Sequence, residues 1–130
     1  MLKYMPLYIC GFLALLSEGF IVKAQQNEML KDLAIPLMTG LVENNDESML
    51  FDSPEGRIIN AQASGVLAAT KVYEYYRVVL PSLGWNVEKD TTCGVNVNYC
   101  IKATRDSESL LLDITSTVQK SIVTYALAPN

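Results

Sequence analysis

Apolar residues recur at helical spacing in one long stretch of the chain. Between residues 66 and 80 they fall three or four positions apart, which is the spacing of one face of an α-helix. Ser64 is a suitable N-cap for this helix, and Pro81 followed by Gly84 favours an end near Leu80. We predict that the buried stripe of the helix consists of Val66, Ala69, Val72, Tyr73, Tyr76 and Leu80.

Apolar and polar residues alternate on both sides of this helix, as they do in strands with one buried face. Before the helix, residues 49–51 and 57–59 flank the sequence SPEG, in which proline and glycine favour a tight hairpin turn. Arg57 is expected to form a surface ion pair with Asp52 or Glu55.

Further alternation follows the helix in residues 85–89, 99–103, 110–114 and 123–127. We therefore predict an α+β fold, with one main helix packed on a curved, mostly antiparallel sheet of about five strands in the order ββαβββ.

The N-terminal residues have the layout of a secretory signal peptide. A short positively charged start precedes an apolar run over residues 7–16, and residues 22–24 place small side chains at the expected cleavage point. Glu18 makes the run shorter than a spanning helix requires, although an uncleaved inner-membrane anchor is the alternative. We predict a cleaved signal at 1–24 and a periplasmic or otherwise exported protein.

The rest of the chain divides into two parts on this interpretation. Residues 25–47 are predicted to form an N-terminal segment, with a short helix over 25–33 that Ile35 and Pro36 end, followed by a polar loop. Residues 48–130 are predicted to form the single α+β domain.

Charge argues against some classes of partner. Signal cleavage would remove Lys3, Lys23 and Glu18, so the formal net charge would change from −4 to −5. An acidic chain without a Lys/Arg cluster is repelled by phosphate backbones and anionic lipids. We expect no nucleic-acid partner, and membrane contact only through an uncleaved N-terminus.

The spacing of Cys93 and Cys100 allows more than one chemistry. In one straight strand their Cα atoms would lie roughly 23 Å apart, whereas a disulfide needs about 7 Å or less. The intervening GVNVN sequence permits the chain to turn back, and export favours oxidation. We predict a structural disulfide, with two free thiols as the alternative, because the motif is not Cys-x-x-Cys.

Catalytic and metal chemistry find little support in the residues present. The chain has no histidine, so Ser-His-Asp and Cys-His catalytic systems are excluded. A zinc site needs four ligands, and without histidine the cysteines are too few to supply them. The carboxylates of Glu43, Asp46 and Glu47 lack the spacing of a calcium loop. Paired-carboxylate and Ser-Lys chemistry stay formally open. We predict a non-enzymatic protein with no cofactor and no metal.

One helix face is a candidate docking surface. Opposite the buried stripe, two aliphatic residues and a tyrosine accompany two charged residues, and we predict a partner face made of Leu67, Lys71, Glu74, Tyr75 and Val78. The partner would be an unknown envelope protein. The bland interpretation is that isolated apolar residues on surfaces are ordinary. The alternative function is binding of a small apolar ligand between helix and sheet, beneath Tyr73 and Tyr76.

Three short motifs carry a resemblance to a known group. These are FDSPEGRI at residues 51–58, LPSLGW at 80–85 and YALAP at 125–129. The chain resembles short exported alphaproteobacterial proteins of unknown function that share such a turn, a helix and the LPxLGW motif. The resemblance implies export and the same fold, and it brings no catalytic residue. The loop containing Cys93 departs from the pattern of that group.

Overall fold

Residues 28–130 are described by the computed structural model, and the predicted signal peptide 1–24 lies outside them. Within the described residues one α-helix packs on an antiparallel sheet of seven strands. The elements are β1 (Val42–Glu43), a short 3₁₀ helix (Asn45–Glu47), β2 (Met49–Ser53), β3 (Gly56–Gly65), α1 (Ala69–Ser82), β4 (Asn86–Val87), β5 (Tyr99–Arg105), β6 (Glu108–Ser116) and β7 (Ser121–Pro129).

The strands lie in the order β1-β3-β7-β6-β5-β4, and β2 pairs with the same side of β3 as β1 does. Alternation places one set of side chains on the buried face, among them Ile59, Ala61, Ala63, Ile101, Ala103, Leu110, Leu112, Ile114, Val123, Tyr125 and Leu127. The predicted α+β class is confirmed. The strand number was underestimated, since β1 and β4 have only two residues each and show no readable alternation.

The helix begins later than the sequence predicts. Ser64 does not cap it, because Ser64 lies in β3 opposite Ile122 of β7. The helix starts at Ala69, and Val66 is 83% exposed in the bend before it, so Val66 does not belong to the buried stripe. The other predicted stripe residues face the sheet, fully or partly buried.

The LPSLGW motif, residues 80–85, forms the end of the helix and the turn that follows it. Pro81 lies inside the last turn, and Gly84 has the positive φ of +92° that reverses the chain. Arg105 of β5 donates from Nη1 to the Leu83 carbonyl oxygen at 3.0 Å, and its guanidinium lies 4.3 Å above the Trp85 ring. The motif therefore connects the helix end to the sheet by packing.

The predicted helix over residues 25–33 is wrong where the structure describes it, from residue 28 onward. These residues form a hairpin-like turn, with backbone hydrogen bonds from Leu30 to Ile35 and from Leu37 to Glu28. The physical reason is burial: the turn places Leu33 in the core, and the extended residues after it direct the alternate side chains of Ile35 and Leu37 inward.

Residues 30–41 are part of the same core as the sheet, together with α1. The helix lies mainly over β4, β5 and β6, and the N-terminal segment lies beside it. The segment passes so close to β3 that position 65 has no room for a side chain. A Cβ at Gly65 would collide with the backbone carbonyl of Gly40.

Two buried tyrosines join the helix, the segment and the sheet. The hydroxyl of Tyr76 donates to the Pro36 carbonyl oxygen at 2.8 Å and lies 2.7 Å from the hydroxyl of Tyr125 in β7. Since a carbonyl only accepts, Tyr76 uses its proton on Pro36, and Tyr125 must be the donor to Tyr76. Burial raises the pKa of both phenols well above the ordinary value, so both stay protonated.

This assignment predicts unequal effects for two matched substitutions. Tyr76→Phe removes both hydrogen bonds and leaves the Pro36 carbonyl and the Tyr125 hydroxyl without this partner. We therefore expect a loss of about 1–3 kcal/mol in unfolding free energy. Tyr125→Phe removes one bond and leaves the Tyr76–Pro36 bond intact, so we expect about 0.5–1.5 kcal/mol. Urea denaturation measures both values, and a larger loss for Tyr125→Phe would contradict the donor assignment.

Candidate interaction surface

Only part of the helix face predicted as a docking surface is exposed to solvent. Lys71 and Glu74 are exposed on α1, and Val78 is 73% exposed. Tyr75 is half-buried and meets the Tyr76 ring edge-on, with ring centroids 4.9 Å apart. The structure therefore brings one fully presented apolar side chain, Val78, together with two charges on this face.

Leu67 does not belong to the helix. It lies in the bend before Ala69, packs partly against the core beside Gly40, and its carbonyl accepts a hydrogen bond from Ser121. The helical spacing of Leu67 with Lys71 in the sequence is real, but the chain becomes helical only after Leu67.

Cys93 and Cys100 lie at disulfide distance, with Cα atoms 5.5 Å apart, as predicted. The chain turns back between them at residues 95–96, where Asn96 has a positive φ of 66° and the Val97 amide donates to the Gly94 carbonyl. Cys100 is the second residue of β5, so the bond fixes the preceding loop along the outer edge of that strand. The two cysteines act as a staple.

A surface cleft of about 330 Å³ lies between this loop and the helix. Tyr73 stacks on Tyr99 at 5.0 Å between centroids, and Arg77 donates to the Tyr73 hydroxyl at 2.9 Å. Thr91 contributes a buried hydroxyl with no hydrogen-bond partner within the described residues. The cleft walls are mostly charged or hydroxyl-bearing, including Arg77, Glu88, Lys89, Asp90, Thr91 and Thr92.

The opposite edge of the sheet is apolar and exposed. In β2, Met49 and Leu50 are each 51% exposed and Phe51 is 50% exposed, and Val42 of β1 is 69% exposed along the same edge. Within residues 28–130, no strand pairs with the outer side of β2. Sequence reasoning missed this surface, because residues 49–51 were assigned only to a hairpin, whereas their lack of any covering partner depends on the sheet order.

The apolar edge continues onto the open face of the sheet. The residues there are a mixture of small, polar and partly buried apolar side chains, and one cross-strand row runs from Met49 through Asn60 and Ala126 to Leu111. Asp113 also lies on this face, and partial burial raises the pKa of its carboxyl group. The open face is thus mixed in character, and among the strand residues of the described part of the chain the exposed large apolar side chains lie in β1 and β2.

Acidic residues are concentrated in the part of the sequence that forms this edge. Residues 42–56 contain five carboxylates and neither Lys nor Arg, whereas the whole chain has a formal net charge of −4. The carboxylates flank the apolar strand on both sides, with Glu43, Asp46 and Glu47 before it and Asp52 and Glu55 at its end. The net negative charge of the protein is therefore concentrated at this one edge.

The nearest arginine is already engaged. Arg57 was predicted to pair with Asp52 or Glu55, but it bonds Glu108 of β6, with Nε 2.9 Å from the carboxylate. This hydrogen bond from Arg57 lowers the pKa of Glu108 below its usual range. The pair spans the end of β7, and Arg57 also stands opposite Asp52 in the register of β2 and β3. The pKa of Arg57 is raised mainly by its hydrogen bond to Glu108 and to a smaller extent by the nearby Asp52 carboxylate.

Across residues 28–130, no helix has the length and apolar character needed to cross a bilayer. That part of the chain also holds no group of three or more side chains suited to bind a metal ion.

Protein-family models, curated proteins and solved structures returned no match to this chain. The resemblance to short exported alphaproteobacterial proteins thus stays a prediction.

The staple predicts a measurable dependence on redox conditions. Closing so small a loop should stabilise the fold by about 2–3 kcal/mol on the chain-entropy account. We expect the urea midpoint of the protein to fall when dithiothreitol is present. The matched control is Cys93→Ala, which should respond to urea equally with and without reductant. Equal midpoints for the unmodified protein would show that the bond contributes nothing.

The Arg57–Glu108 pair predicts a pH-dependent stability difference. Folding lowers the pKa of Glu108, so the ionised pair stabilises the folded state. This stabilisation is fully present above the unfolded pKa of about 4.3 and is lost as the pH falls through the folded pKa. Glu108→Gln should lower stability at neutral pH by less than about 1 kcal/mol, because the pair is partly exposed.

The melting temperatures of Glu108→Gln and the unmodified protein should converge as the pH is lowered towards about 3. Glu74→Gln, which changes an exposed helix carboxylate, is the control and should show little difference at any pH. A Glu108→Gln difference that grows in acid would contradict the assigned sign.

Proposed function

We propose that this protein is an exported, non-catalytic module that binds another protein of the cell envelope. The observation that carries the proposal is the exposed apolar edge formed by Val42, Met49, Leu50 and Phe51. Exposed apolar residues grouped along one edge mark interaction sites more often than scattered single residues do. Half-exposed Phe51 and Met49 are residue types enriched at protein interfaces.

Export is supported by two independent features of the chain. The apolar N-terminal run with its small-residue cleavage point is typical of a signal peptide. The Cys93–Cys100 disulfide fits an oxidising compartment, where such bonds form and persist. The periplasm or another envelope-facing location satisfies both features.

The alternative, a carrier of a small apolar ligand between helix and sheet, has less support. Tyr76 and Tyr125 are fully buried there and bonded to each other, so core side chains occupy the space beneath the helix. The cleft near Tyr73 opens at the surface, and its walls are mostly charged or hydroxyl-bearing. Neither feature suits an apolar guest, which needs an enclosed apolar pocket.

Site-specific photo-crosslinking in living cells tests this proposal. A photoreactive residue is placed at Phe51 on the sheet edge, at Val78 on the helix face, or at Val95 in the disulfide loop as an exposed control. We expect a discrete protein adduct from Phe51 and none from Val95. An adduct from Val78 alone would move the interface to the helix, and the absence of adducts from both would contradict the proposed function.

A further inference from the structure

We propose that β2 is a strand-addition site for an extended polypeptide segment with an apolar centre and Lys or Arg at its ends. This inference rests on the proposed function and names the chemistry of the partner. The outer edge of β2 has no strand beside it within residues 28–130. In an antiparallel pair, backbone groups point alternately toward and away from the partner, so half of the β2 groups face outward unpaired.

The side chains of β2 do not protect this edge. Natural sheet edges are usually guarded by lysine, proline, a bulge or a covering element. β2 contains no lysine or proline, and its five residues pair with β3 in an unbroken register from Met49 opposite Asn60 to Ser53 opposite Gly56. The edge is therefore regular and able to continue the ladder of backbone hydrogen bonds.

Alternation determines what the added strand would meet. Leu50 projects to the face that carries the core, and Met49 and Phe51 project to the open face. An incoming strand gains apolar contacts on both faces only if its own central residues are apolar on both sides. Thus the centre of the partner segment should be apolar and β-prone, over roughly five residues.

Charge determines the ends of the partner and excludes a second copy. The carboxylates of Glu47 and Asp52 stand at the two ends of the apolar stretch, and Glu43, Asp46 and Glu55 lie farther out. A second copy placed edge to edge would bring an equal set of carboxylates to the same place, which is unfavourable. A segment with basic ends would be attracted and held in register.

Synthetic peptides test this inference with the full chain. The probe is a peptide of about nine residues with alternating valine and threonine at its centre and lysines at both ends. One control carries glutamates at the ends, and a second carries a central proline, which cannot donate to the ladder. Fluorescence anisotropy measures binding, and amide NMR spectra locate it.

We expect the lysine-ended peptide to bind, to shift and protect the β2 amides, and to weaken with added salt. Neither control peptide should bind measurably. Glu47→Lys combined with Asp52→Lys should weaken binding about tenfold or more, because it reverses both flanking charges. Glu74→Lys combined with Asp90→Lys makes the same change of charge away from the edge and should leave affinity almost unaltered.

Three outcomes would overturn the inference. One is equal binding of the lysine-ended and glutamate-ended peptides, and another is binding that leaves the β2 amides unchanged. The third is concentration-dependent dimerisation through β2, which would make a second copy the occupant. If crosslinking from Phe51 finds a partner but the lysine-ended peptide does not bind, the partner chemistry is wrong while the proposed function stands.

Discussion

A sheet with one apolar face is stable only when that face is covered, and here two separate parts of the chain share the cover. The helix lies mainly over β4, β5 and β6, and residues 30–41 complete the core beside it. The hydroxyl of Tyr76 is where helix, segment and sheet meet, through Pro36 and Tyr125. Two short hydrogen bonds inside an apolar layer fix how these parts are placed, since a wrong placement would leave buried polar groups unpaired.

This arrangement leaves the remaining surfaces unequal. The core face carries the fully buried apolar side chains, and the other face carries a mixture of polar, small and partly buried apolar residues, among them Ile58, Leu111 and Ile122. Apolar exposure is then concentrated where β2 extends beyond the cover, at the hairpin. The same geometry that stabilises the domain therefore also determines which surface is available to a partner.

Local sequence patterns predicted the elements whose stability is local. The SPEG turn, the helix as far as about Leu80 though not its start, and the return of the chain between the cysteines all follow from turn chemistry and periodicity. The errors arose where tertiary contacts override a local signal. Ser64 has the chemistry of a cap but pairs in β3, and Leu33 lies in a turn because the core needs its side chain.

The candidate site depended on information that periodicity does not contain. Whether Met49–Ser53 is an inner or an outer strand follows only from the sheet order, in which β3 pairs with β7 on its other side. The partner of Arg57 is similarly non-local, since Glu108 is brought close by the pairing of β6 with β7. The acidic flanks, by contrast, were visible in the sequence and acquire meaning only beside an exposed edge.

The Cys93–Cys100 disulfide also affects the opposite edge of the sheet, where β4 and β5 lie. There β5 is bordered by a strand of just two residues and by the loop tied back through Cys93 and Cys100. Within residues 28–130 the two margins of the sheet therefore differ, since β2 offers five residues with no strand on their outer side whereas β4 offers two. Strand addition, as proposed, would favour the longer margin at β2, and addition at one margin gives a finite complex and not a filament.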